Sequence, residues 1–138
     1  MERRDYLEDQ INQLGKVFAK IFNVLGFQVS QSTLVENIKV FNDSIKDETG
    51  ISNLMLLEES NLIKAISDKH KFNDFNLEKL AEIFYTIALQ MQPNESNIAK
   101  QFYSKSLVVY EVLNKQNSTY SLTRELEVAK IRKVLEQL

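Results

Sequence analysis

Apolar residues recur at spacings of three and four through most of the chain, and the clearest run lies between Asn76 and Leu113. Its first half places Leu77, Leu80, Ala81, Phe84, Ile87, Ala88 and Met91 on one stripe at the helical period. Ile83 and Tyr85 fall beside that stripe, which predicts a second covered surface. Asn76 is expected to be the N-cap, its side-chain oxygen accepting from an amide of the first turn. The link Gln92-Pro93-Asn94 then turns the chain, because Pro93 has no N–H for the helix ladder and restrains Gln92. In the second half Ile98, Ala99, Phe102, Tyr103, Ser106, Leu107, Tyr110 and Leu113 form a stripe that Val108, Val109 and Val112 widen. A helix apolar nearly all round is buried on more than one side. It is therefore expected at the centre, between its hairpin partner and a later element.

The remaining patterns predict helices that cover this hairpin. A first helix from about Asp5 to Leu25 carries Leu7, Ile11, Leu14, Phe18, Ile21 and Leu25 as a heptad-like seam, widened by Tyr6, Val17, Phe22 and Val24. Gly26 is placed to end it in the left-handed conformation. A second helix should run from Ser30–Ser32 to Gly50, burying Leu34, Val35, Ile38, Phe41 and Ile45 and exposing Glu36, Lys39, Asn42, Asp43 and Lys46. The apolar stretch Ile51 to Leu57 suggests one helical turn and a break, followed by a short helix from about Glu59 to Asp68. Lys69 to Phe75 reads as a polar connector pinned by Phe72 and Phe75. Ser118 or Ser121 can cap a last helix, about Tyr120 to Glu136, in which Val128, Ile131, Leu135 and Leu138 oppose Leu122, Leu126, Ala129 and Lys133.

Composition narrows the fold further. Three Gly and one Pro in 138 residues leave little material for the tight turns of a many-stranded sheet. The expectation is a single all-α domain over residues 1–138, with about six helices stacked as antiparallel hairpins. The absence of Cys removes disulfides, thiolate chemistry and Cys-ligated metals, and makes a reducing cytoplasm the natural setting. A net charge of -2 does not suggest a nucleic-acid binder, because phosphate contacts need clustered Lys and Arg. Arg3 and Arg4 are followed by neither an uninterrupted apolar region nor a small-residue cleavage site, so a mature start at Met1 and no membrane span are expected.

The hairpin resembles tetratricopeptide-type repeats through Phe84, Ile87 and Ala88, followed by Ala99, Tyr103 and Ser106. It departs from them in having Ser106 where that pattern prefers Ala, and in lacking a Pro that closes the second helix. Across nearly the whole chain, Asp5-Tyr6-Leu7 with Ile11 and Leu14, the Glu58-Glu59 segment, and Asn76-Leu77-Glu78-Lys79-Leu80 resemble a family of uncharacterised bacterial proteins with a tetratricopeptide-like helical fold. That resemblance implies a fold and supplies no catalytic residue.

Candidate chemistry is sparse. His70 is the only histidine and sits among polar residues, with no zinc-protease spacing around it. Glu58 and Glu59 are expected to point to different sides of a helix and so not to share a substrate. Isolated glycines at 15, 26 and 50 cannot form a phosphate-cradling loop. No catalytic, cofactor-binding or metal-binding residue is assigned, and no cofactor is expected. Tyr85, Tyr103, Tyr110 and Tyr120 gather around the hairpin and its following helix; they are candidates for binding a partner, set against the more ordinary reading of tyrosines at a core edge. The wide apolar surface of the first helix has three readings: a core helix first, a homodimer seam second and a membrane-surface helix last. The preferred function is a non-catalytic module that binds a protein or peptide or associates with itself, the alternative being a small-molecule binder or enzyme with a dispersed site.

Overall fold

A computed structural model of the chain describes residues 3–27, 30–67 and 71–138. They form six helices: α1 (Arg3–Leu25), α2 (Gln31–Thr49), α3 (Glu59–Ser67), α4 (Asp74–Met91), α5 (Ser96–Gln116) and α6 (Leu122–Gln137). A 3-10 turn, Leu54–Leu56, lies between α2 and α3. There is no strand among the described residues, and the architecture is all-α.

The helix boundaries follow local chemistry. Ser30, Asn73 and Ser121 each sit in extended backbone and accept from the amide three residues on, at 3.3, 2.9 and 3.3 Å. The cap of α4 is thus Asn73 and not Asn76, whose amide is the donor to it. Asn76 has a different task. Its side chain is fully buried and its Nδ2 donates to the carbonyls of Ile11 and Lys71 at 3.1 and 2.8 Å, tying α4 to α1 and to the preceding connector. Gly50 ends α2 with φ 75°, its amide donating to Lys46 O at 2.7 Å. Gly26 does not take the left-handed conformation expected of it; its amide reaches back to Phe22 O and Asn23 O with an ordinary φ.

Burial reproduces the stripe of α4 residue for residue, and Ile83 is buried as well. Across the molecule the order of packing is α2, α1, α4, α5, α6, with α3 laid along α5 and the 3-10 turn against α2. The α4–α5 hairpin is its most extensive contact. Of the α1 seam, Leu14, Phe18, Ile21 and Leu25 are buried within the chain, while Leu7 and Ile11 are half-buried. Val128 and Ile131 turn α6 onto α5, leaving Leu122 and Leu126 exposed. The centre of the fold is α5, covered by α4, α6 and also by α3.

Patterning also misplaces residues in α2 and around the connector. In α2, Val35 is 46% exposed and Asn42 only 3%. The reason is tertiary: Asn42 Oδ1 accepts from the Met55 amide at 2.9 Å, so the 3-10 turn covers a polar position and pairs its oxygen, while the Nδ2 is buried without a partner. In the connector, Phe72 is buried against Phe18 with ring centroids 6.3 Å apart, but Phe75 stays exposed. The Lys79 ammonium lies 5.6 Å from the Phe75 ring and 5.5 Å from the Phe22 ring.

Candidate functional site

The tyrosine group is divided by the fold. Tyr103 is buried on α5, where its hydroxyl donates to Gln92 Oε1 at 2.6 Å and closes the hairpin link. Tyr85 of α4 is half-buried, its ring edge-on to Tyr103 at 5.6 Å and under the Lys130 ammonium of α6 at 4.8 Å. Tyr110 is buried, while Tyr120, just before α6, is 71% exposed. Burial pushes the phenols of Tyr103 and Tyr110 above the ordinary tyrosine range, with Tyr85 adding to the first and Glu82, Glu127 and Glu78 to the second. A hydrogen bond with Tyr85 raises Lys130. Tyr85 and Tyr103 are brought together; Tyr110 and Tyr120 do not join them in one surface.

A more developed surface lies on the other side of α5. A depression of about 770 Å3 is bordered by Leu56, Leu57, Glu58 and Glu59 on one wall and by Asn97, Lys100, Gln101, Ser104 and Lys105 of α5 on the other. A second, of about 380 Å3, continues along the same two helices past Ile63, Val108 and Val112. Spacings of three and four along α5 line up these residues, so the two depressions lie in a row along one face of α5, the first facing the 3-10 turn and the start of α3, the second facing α3 itself, and together they outline the groove between α3 and α5.

Glu58 and Glu59 both border this groove; α3 starts at Glu59, and Glu58 lies in the link before it. Opposite them lies the least expected residue of the site. Lys105 is only 8% exposed, and its Nζ donates to Met55 O at 2.9 Å and sits 5.1 Å from the centre of the Phe102 ring. Met55 is therefore held at both ends, by Asn42 at its amide and by Lys105 at its carbonyl. Desolvation lowers the Lys105 ammonium below the ordinary lysine value, and the charge of Glu59 opposes that shift. No carboxylate among the described residues comes within ion-pairing distance of it.

Periodicity carries a signal for Lys105. It lies three and seven residues before Val108 and Val112, on the very face whose apolar character predicted extra burial. His70 falls outside the described residues. No group of His, Asp or Glu suited to a metal ion occurs among the described residues, and no helix there is long and apolar enough to cross a membrane. Compared with protein-family models, with curated proteins and with solved structures, the chain matches none of them.

Proposed function

We propose that this chain is a non-catalytic helical interaction module that takes a protein segment along the groove between α3 and α5. The observation that carries this reading is the alignment of the two depressions along one face of α5 from Asn97 to Gln116, roughly 28 Å at the helical rise. Its exposed apolar residues, Leu56 and Ile63, lie on one wall. Grooves of this kind accept a helical or extended segment through spaced apolar anchors. A tetratricopeptide-like stacking of the hairpins, a bacterial source and a cytoplasmic setting belong to the same proposal.

The test is affinity capture from a native host followed by mass spectrometry, comparing the unaltered chain with Leu56→Asp and Ile63→Asp. Both positions are exposed, so the fold should tolerate the change. A partner lost by both groove variants and kept by Leu126→Asp, on the exposed side of α6, is the expected result. Capture indifferent to the groove variants would sink the reading.

Two other readings are tested alongside. The buried ammonium of Lys105 in the groove wall favours a small-molecule binder as the alternative, and a tightly bound metabolite in purified protein would support it over the module. Self-association through α1 would use the apolar residues it leaves accessible, such as Phe22 and Val24, with neighbouring Val40 of α2, because Leu14, Phe18, Ile21 and Leu25 are buried within the chain. A monomeric mass in light scattering would remove it.

A further inference from the structure

The Lys105 ammonium is a charge with too few partners. An ammonium has three N–H donors; one is taken by Met55 O, and no other acceptor for Lys105 occurs among the described residues. The Phe102 ring face offers it a weaker attraction. A cation this desolvated normally has a counter-ion, because burying an unpaired charge is expensive. Here the space beside it is the larger depression of the groove.

The chemistry of that space selects the missing group. Lys100 stands on the same wall, and Glu58 and Glu59 oppose them, so two cations and two anions border the depression. With the local charge near zero, a polyanion such as a nucleic-acid backbone finds no positive field to draw it in. A single carboxylate close to Lys105 gains a short charge-assisted bond without that requirement. The depression is also far larger than one carboxylate, and it runs on past Ile63, Val108 and Val112, which suits an elongated occupant with apolar side chains.

We propose that Lys105, assisted by Lys100, anchors the carboxylate of a glutamate or aspartate side chain in the peptide segment that occupies the groove between α3 and α5. The apolar side chains flanking that acid lie on Leu56, Ile63 and Val112. This rests on the interaction-module reading and adds to it the chemistry of the partner.

The experiment follows the amide NMR signals of the isotope-labelled full chain during titration with three probes: a short blocked peptide of leucines around a central glutamate, its glutamine counterpart, and glutarate. The glutamate peptide is expected to shift signals of Leu56–Glu59 and Ser104–Val108 and to bind about tenfold more tightly than the glutamine peptide. Lys105→Met erases that difference in a chain that still melts cooperatively, at a temperature lowered only by the lost bond to Met55 O. Lys100→Met, at an exposed position, reduces the difference and decides the matter alone should Lys105→Met fail to fold. Equal affinity for the two peptides overturns the anchor and leaves the module reading standing. So does a preference unchanged in folded Lys105→Met. Glutarate binding as well as the glutamate peptide shows a site for a free acid and overturns the segment. No shift in the groove with any probe overturns the anchor alone, because the module reading is decided by the capture experiment.

Discussion

Gly15 shows how closely one residue can be specified by its neighbour. A Cβ at that position would come 3.1 Å from Asn76 Oδ1, and the Asn76 side chain cannot yield because its Nδ2 is bonded to Ile11 O and Lys71 O. Asn76 Oδ1 is itself buried without a hydrogen-bond partner, beside the space that Gly15 leaves by lacking a side chain. Gly15→Ala should therefore destabilise the chain by about 1–3 kcal/mol through overpacking, despite the better helix propensity of alanine. Urea denaturation measures this. In the double variant with Asn76→Ala the two losses should sum to more than the combined effect, because the substitutions share one contact.

Titration is the second property set at single residues. Tyr103 and Tyr110 have phenol pKa values raised above 10.0, chiefly by burial. Above about pH 10 the unfolded chain loses these protons first, so the folded state binds more protons and stability falls with rising pH. Lys130, raised chiefly by its hydrogen bond with Tyr85, acts in the same direction. Lys105 acts oppositely: its lowered pKa means that the folded chain releases the proton first, and stability is regained between that value and 10.5. With the phenols in the majority, the urea midpoint is expected to drop above about pH 10. Tyr110→Phe should flatten that drop, and an identical alkaline slope in the variant would refute this assignment.

At the scale of the element, the joints matter more than the helix interiors. Ser106 lies where α5 meets α4, fully buried, with its hydroxyl donating to Ala81 O at 2.7 Å. A small residue is required there by the close approach, and the hydroxyl adds a bond that alanine, the residue the repeat pattern prefers, would lack. Ser106→Ala is expected to lose about 1 kcal/mol, and Ser106→Leu more, by forcing the hairpin apart. Gly50 is a joint of another kind. Nothing stands within 4 Å of a Cβ built on it, yet its φ of 75° belongs to the left-handed region. Gly50→Ala should cost about 1–2 kcal/mol through backbone conformation alone. A loss as large as that of a core truncation would point to a contact not seen here.

At the scale of the whole molecule, α5 is the helix on which the others converge, and substitutions along it should grade with burial. Tyr103 is fully buried and bonded to Gln92, so Tyr103→Asp is expected to destabilise by several kcal/mol and to lose cooperative melting. Leu107 is only half-buried, although it shares a stripe with Tyr103, and Leu107→Asp should be milder. Equal damage from the two would mean that the side of α5 bearing Leu107 is covered in solution. The groove and the exposed side of α6 are the surfaces on which substitutions should leave folding intact, which is what allows the binding proposals to be tested separately from stability.

The linear chain by itself determined the class of fold: the three-and-four spacing of apolar residues, the scarcity of Gly and Pro, and the turn at Pro93 require helices and an α4–α5 hairpin, and amphipathic spacing is a local property. The buried seam of α1 and the Val128–Ile131 face of α6 were legible for the same reason. Only tertiary structure decided the polar interior. Asn42, Asn76 and Lys105 are polar residues that patterning assigns to solvent or to a cap, and each is buried because a carbonyl or amide from a distant segment meets it. Such pairings join positions 13, 65 and 50 residues apart, and although periodicity marks the face of α5 that bears Lys105 as covered, it does not reveal the partner groups. Glu58 and Glu59 came to border the same depression as Lys105 through the same long-range packing, since the 3-10 turn just before them is held by α2 and α5 together.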